Sequence, residues 1–281
     1  ICDPRTLIRI ENHGGNLHRK NRRALLQRVN MSGERYDYEI ITDRYEDYLL
    51  RSEVDRAITS KDLVKATELL SSLRRSIPKT PVNNQYILKT ELEIRAMFPT
   101  AHSEKLSLTE QELQWKNILY MTLPLDIENI LKCPTSILSI NEILTLIALA
   151  FRYKRHGQLQ MSLDLLTYVD KCFEDIGTNS LYYEGLYTRV MASIASVAGD
   201  IGQHNKSDRY ALACIELSLE NKNARQIAHC LYGIAWNRIQ QSSELTEDEK
   251  KQRKIESLAV LKQAYAAALM AGNVAYVRLI S

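Results

Sequence analysis

From about residue 140 onward, apolar side chains return every three or four positions. Ile143, Leu144, Ile147, Ala148 and Phe151 make one stripe; Leu159, Leu163, Leu166, Val169 and Cys172 make a second; Leu258, Leu261, Tyr265 and Leu269 make a third. A stripe with that period covers one side of an α-helix, whereas a half-buried strand would alternate every second residue, and no such alternation persists here. Polar punctuators separate the stripes at His156-Gly157-Gln158 and at residues 199–205, 220–223 and 241–248. All six prolines (4, 78, 81, 99, 124 and 134) lie in the first half, which leaves the 147 residues after Pro134 without the commonest helix breaker. The pattern predicts an all-α fold whose helices, about 15 residues each, pack as antiparallel neighbours. The first long helix is expected over residues 39–59.

Within this pattern a register recurs. Setting Gly157 on Gly202, 45 residues later, superposes Ala150 on Ala195 and Ser162 on Ser207. Small residues before and after a Gly turn are what helix-pair repeats of the tetratricopeptide kind need where their helices cross closely. A third pair, with Gly233 and Ala259 in those slots, requires residues 241–253 to be an insertion, and an earlier pair is expected over 46–73 with Ala57 and Ala66. An irregular antiparallel bundle also places Ala and Gly where helices touch. Stacked pairs would build a right-handed superhelix with a concave groove suited to an extended peptide.

Charge changes the picture only at one end. Thirty-seven basic against 34 acidic residues leave +3, but residues 1–30 alone carry +5 through Arg5, Arg9, Arg19, Lys20, Arg22, Arg23 and Arg28 against Asp3 and Glu11. The remaining residues sum to −2, so a basic surface is a property of the N-terminal segment. Cysteines 2, 133, 172, 214 and 230 are odd in number and show no zinc-ligand spacing, which fits a reducing cytoplasm. The longest uncharged run, residues 263–277, is too short for the roughly 20 apolar residues of a membrane span. Phosphate-loop, dinucleotide, nucleophile-elbow, zinc-protease and calcium-loop patterns are all missing, and the six histidines are isolated from one another. Neither an enzyme nor a cofactor is expected.

The first 31 residues carry a resemblance. Asp3 and Pro4 suit the cap and first position of a short helix whose apolar face is Leu7 and Ile10; His13-Gly14-Gly15-Asn16 ends it, and a second helix turns Leu25, Leu26 and Val29 inward. The run Ile1-Cys2-Asp3-Pro4-Arg5-Thr6-Leu7-Ile8-Arg9-Ile10-Glu11-Asn12 resembles the recognition helix and following turn of the phage-repressor-like (XRE) helix-turn-helix family, and Ala24 to Met31 resembles the end of that domain's next helix. Helical repeats behind such a segment are similar to peptide-sensing regulators of the Rgg and PlcR type. The resemblance implies that Arg5, Thr6 and Arg9 face base edges or phosphates of double-stranded DNA while Arg19 and Lys20 meet the backbone. Ile8 departs from the family, which has a small or polar residue there. The family's first two helices, which complete the DNA-binding core, are expected before Ile1. The layout implied is 1–31 for this half-domain, 32–38 as linker and 39–281 as helical-repeat sensor and dimerisation domain.

Tyrosine is the preferred aromatic, 15 against three Phe and two Trp, and Tyr153, Tyr182, Tyr183, Tyr187 and Tyr232 recur on first helices of pairs. In the repeat register the concave slots hold Lys154, Arg189, Ser196, Tyr232, Asn237 and Arg238, with Asn117 beside Trp115 as a further candidate for binding a short signalling peptide. An Asn amide both donates and accepts, so Asn237 suits the capture of a peptide backbone. The apolar tail of Val274, Val277, Leu279 and Ile280, with the last helix, is expected either to form a homodimer contact or to cap the array. The reading is a cytoplasmic bacterial transcription regulator controlled by a peptide; its alternative is a helical-repeat adaptor, or a Rap-like peptide-responsive protein, without DNA binding.

Overall fold

The structure is a computed structural model that describes residues 39–97, 107–123, 126–132, 138–176, 181–221, 224–241, 246–272 and 274–280. The expected helix-turn-helix segment, with Arg5, Thr6, Arg9, Arg19 and Lys20, and the expected linker lie outside these residues. The regular elements among those described are twelve α-helices and one 3₁₀ turn, with no strand, so the fold is all-α. The chain divides into two compact units, Ile1–Arg152 and Tyr153–Ser281.

The first unit contains α1 (Tyr45–Thr59), α2 (Leu63–Ser76), α3 (Pro81–Met97), α4 (Leu108–Tyr120), α5 (Ile127–Lys132) and all but the end of α6 (Ile140–Arg155). Its core gathers Ile40, Val54, Leu70, Leu73, Tyr86 and Ile94, all buried. Helix α1 starts six residues later than the sequence pattern suggests because residues 39–44 are held in a non-helical form by other helices. The Asn83 side chain on α3 accepts from the Ile41 N–H at 2.7 Å and donates to the Ile41 carbonyl at 2.8 Å, while Asn141 on α6 donates to the Glu39 carbonyl at 2.7 Å. Ile40 between them is fully buried, and Arg51 on α1 fixes Glu39 through a 2.6 Å ion pair. Burial of Ile40 together with these three hydrogen bonds, each worth about 1 kcal/mol net, outweighs the small gain from one further helical turn.

The second unit contains the end of α6, α7 (Leu159–Ile176), α8 (Leu181–Ile201), α9 (His204–Glu220), the 3₁₀ turn Ala224–Gln226, α10 (Ile227–Gln240), α11 (Glu247–Met270) and α12 (Val274–Ile280). Helix α8 packs on α7, α9 and α10, and α11 lies along α10. Met191, Ala195, Ala211, Cys214, Cys230 and Ile234 form a core shared by α8, α9 and α10.

Three turns between successive helices have the same geometry. Backbone bonds run from the N–H of Asp62, Gln158 and Gln203 to the carbonyl five residues earlier, and from Lys61, Gly157 and Gly202 to the carbonyl three residues earlier. This pattern needs a left-handed residue in the turn, which is Lys61 (φ 60°), Gly157 (φ 75°) and Gly202 (φ 87°) respectively. Counting from those residues, Val54, Ala150 and Ala195 share one slot and Ala66, Ser162 and Ser207 another, and all six are buried. In the earliest pair the first slot therefore belongs to Val54 rather than Ala57.

The third pair does not keep this register. A Cβ added at Gly233 would meet nothing within 4 Å, so no neighbouring helix demands a glycine there, and Ala259 is exposed. The Leu258, Leu261, Tyr265 and Leu269 stripe is split: Leu258 and Leu269 are 49% and 54% exposed, Leu261 and Tyr265 are half-buried, and the fully buried positions of α11 are Ser257, Ala264 and Ala268. Small side chains let α11 lie close on α10, which larger ones would prevent.

Candidate functional site

Helices α8, α9 and α10 enclose a cavity of about 320 Å³. Helix α8 contributes Ala195, Ser196, Gly199 and Asp200; α9 contributes Ser207 and Ala211; α10 contributes His229, Cys230, Tyr232, Gly233, Trp236 and Asn237. The cavity exists because two successive turns of α10 present Gly233 and the small thiol of Cys230 where larger side chains would fill it. Its size is at the low end of ligand sites, about 300–1,000 Å³, which fits one or two residues of a bound chain rather than a whole peptide.

One end is knitted by hydrogen bonds. Asn237 Nδ2 donates to Ser207 Oγ at 2.8 Å and to Asp208 Oδ1 at 2.6 Å; Asn237 Oδ1 lies 3.2 Å from His204 Nδ1, and Ser207 Oγ donates to the Ala195 carbonyl at 2.7 Å. Gly199 makes this possible: a Cβ there would come within 3.0 Å of Asn237 Oδ1 and 3.2 Å of Ser207 Oγ. The Asn237 amide is thus buried and engaged within the fold, with a different use from the outward-facing one its sequence context suggested. The backbone-holding geometry expected of Asn237 occurs instead at Asn83, on the chain's own residue Ile41.

The other end is charged. Lys154 Nζ, from the last turn of α6, lies 2.6 Å from Asp200 and donates to Ser196 Oγ at 2.7 Å. Burial, and after it the positive charge of Lys154, holds His229 below the usual imidazole range. Around neutral pH the ring is therefore neutral. Tyr232 and Trp236 add partly exposed aromatic walls. Such an arrangement can hold an apolar side chain while the Lys154–Asp200 pair meets polar backbone or terminal groups.

Of the residues singled out from sequence, Ser196, Tyr232 and Asn237 line this cavity and Lys154 binds two of its lining residues, both on α8. Arg189 is exposed on α8 and Arg238 half-buried on α10, and neither lines it. Asn117 lies in the first unit, exposed at a separate cleft of about 250 Å³ with Leu88, Leu92, Arg95 and Met121. Tyr153 is buried, and Tyr187 packs its ring 5.1 Å from Phe173, so both serve helix packing. Sequence reading missed His229, Cys230, Asp200 and Trp236; all four follow from the i, i+3, i+4 and i+7 neighbours of Ser196, Gly233 and Tyr232 once the cavity-facing side is known. Among the described residues no group of three or more His, Cys, Asp or Glu is placed to hold a metal ion, and no helix is long and apolar enough to cross a membrane.

Protein-family models, curated proteins and solved structures were each compared with the chain, and none matches.

Proposed function

We propose that this chain is the sensing part of a DNA-binding transcription regulator, in which helical hairpins of the tetratricopeptide kind bind a short signalling peptide and set the geometry of a homodimer. The cavity framed by α8, α9 and α10 carries this reading: it gathers three residues picked from sequence as peptide contacts, together with aromatic walls and a paired charge. Support comes from the way the helices already treat extended backbone, since Asn83 grips both polar groups of Ile41. A peptide is a ligand of the same chemistry. The basic first 30 residues and their likeness to a repressor recognition helix support DNA as the second partner. Exposed Leu258, Leu269, Met270 and Leu279 on α11 and α12 support a second copy of the chain as the third.

Regulation on this reading acts through shape. Half-sites on DNA lie about 34–36 Å apart, so a peptide that changes the spacing of two reading heads changes affinity without any reaction. The test is binding of the intact protein to its own promoter at graded salt. Arg5→Ala with Arg9→Ala is expected to weaken binding and to flatten its salt dependence by about two counterions' worth of slope, because each lost phosphate or base-edge cation releases about one ion fewer. Binding with an unchanged slope would remove DNA reading from the proposal.

A further inference from the structure

In the first unit two clefts join into a groove that the proposed function does not use. One, of about 270 Å³, lies among the end of α2, the start of α3 and Met121; the other, of about 250 Å³, lies between α3 and α4, and Leu88 and Met121 line both. Asn84, Leu88, Glu91 and Arg95 follow one another along α3 at helical spacing, so the groove runs for three turns, about 16 Å. Its floor is carbon: Leu88 and Leu92 are half-buried, Ile118 is buried and Met121 is 37% exposed. A chain laid there finds polar partners only at the rim, where Asn84 and Asn117 are exposed, so an occupant has to satisfy its own backbone, as a helix does. The rim is basic. Glu91 is held by Arg74 at 2.8 Å, which leaves Lys79 at one end and Arg95 at the other, both exposed and, among the described residues, without an ion-pair partner. The groove therefore favours a helix that is apolar on one face and acidic beside it.

Helix α9 has that chemistry on its outer side. Leu212 and Leu219, 59% and 64% exposed, share a face with the exposed Glu216 and Glu220. Arg209, one turn earlier, is drawn to the ring of Tyr210, 5.5 Å from its centroid. On α11, by contrast, the exposed Ile255 and Leu258 stand beside exposed Lys251 and Lys254, whose charge the groove repels. We infer that the α3–α4 groove takes the α9 face of a second copy of this chain, with Leu212 and Leu219 on the apolar floor and Glu216 and Glu220 in the field of the basic rim. Each copy offers one groove and one α9, so the contact joins two different surfaces and is separate from any contact of α11 and α12. It depends on neither peptide capture nor DNA reading. Two to three helical turns cover well under the roughly 1,200 Å² of stable complexes, which makes the contact weak and places it at about 100 µM chain.

The experiment compares the full chain with two charge-reversed forms, Lys79→Glu with Arg95→Glu in the groove and Glu216→Lys with Glu220→Lys on α9. All four positions are exposed, and circular dichroism checks that both forms keep the helical fold. In sedimentation velocity at about 100 µM, the natural chain is expected to form larger species than either reversed form, whose association constant falls about tenfold. Mixing the two reversed forms is expected to restore the larger species, because groove and α9 then carry opposite charges in both pairings. Benzoylphenylalanine incorporated at Met121 and irradiated is expected to cross-link two chains through the tryptic peptide Tyr210–Lys222, which contains Leu212 to Glu220. Absence of self-association at this concentration, association unchanged by either reversal, no recovery on mixing, or cross-links confined to one chain or to other peptides would each overturn the inference.

Discussion

Single residues decide where this chain bends and where it opens. Lys61 occupies a left-handed conformation that glycine fills in the two related turns, at a cost of about 1 kcal/mol for a residue with a Cβ. Lys61→Gly is therefore expected to raise stability by about 0.5–1 kcal/mol, read as a higher urea midpoint with unchanged slope. The two glycines of the cavity behave oppositely. Gly199→Ala pushes a methyl against the Asn237 and Ser207 side chains and is expected to cost about 1–3 kcal/mol, whereas Gly233→Ala fills empty space on a helix and is expected to be neutral or stabilising. Thermal unfolding of the two variants side by side checks this; equal effects would contradict the packing described. In the first unit, burial, reinforced by the negative charge of Glu39 and opposed by Arg51 and Lys89, pushes the Asp55 carboxyl up to about 6 from 3.8. The folded chain thus holds a proton that the unfolded chain has lost between those values, so the contribution of Asp55 to stability falls as pH rises through 6. Close to half of the side chain reaches solvent, which keeps the effect modest. Denaturant midpoints from pH 4 to 7 should decline more for the natural chain than for Asp55→Asn.

At the scale of helices, periodicity was a sound guide where burial is apolar and a poor one where it is close. The stripes on α6 and α7 were legible because Ile143, Ile147, Leu163, Leu166 and Val169 are large and buried. On α11 the same reasoning was right only in part, since the buried positions are Ser257, Ala264 and Ala268, with Leu261 and Tyr265 half-buried beside them, while Leu258 and Leu269 look outward. Hydrophobicity cannot mark a face whose requirement is small size. The start of α1 was misplaced for another reason: what holds residues 39–44 comes from Asn83 and Asn141, 42 and 102 residues away, and no local pattern contains it. One signal was present and unread. Ser107 with Glu110, Ser139 with Glu142 and Thr246 with Glu249 each exchange side-chain and backbone bonds at a helix start. The serine or threonine followed three residues later by Glu marks the start of α4, α6 and α11 in the sequence itself.

For the whole molecule, the all-α class and the turns at Gly157 and Gly202 could be read from sequence, but the cavity could not. It depends on Gly233 being unopposed, on Asn237 folding inward and on Lys154 reaching Ser196 and Asp200, and the last two are contacts between residues more than 25 positions apart in sequence. Ser196, Tyr232 and Asn237, which the hairpin register assigns to groove slots, nevertheless lie together along it, because the register carries positional information even when the roles of side chains do not follow from it. The central claim is that this cavity accepts part of a short peptide. Its most direct measurement incubates the full chain and its Gly233→Leu variant with a pooled library of short synthetic peptides and identifies by mass spectrometry those retained after gel filtration. Selective retention of a restricted set by the natural chain, lost in Gly233→Leu while circular dichroism is unchanged, is the predicted result; retention of the same set by both proteins, or of no peptide by the natural chain, would contradict it.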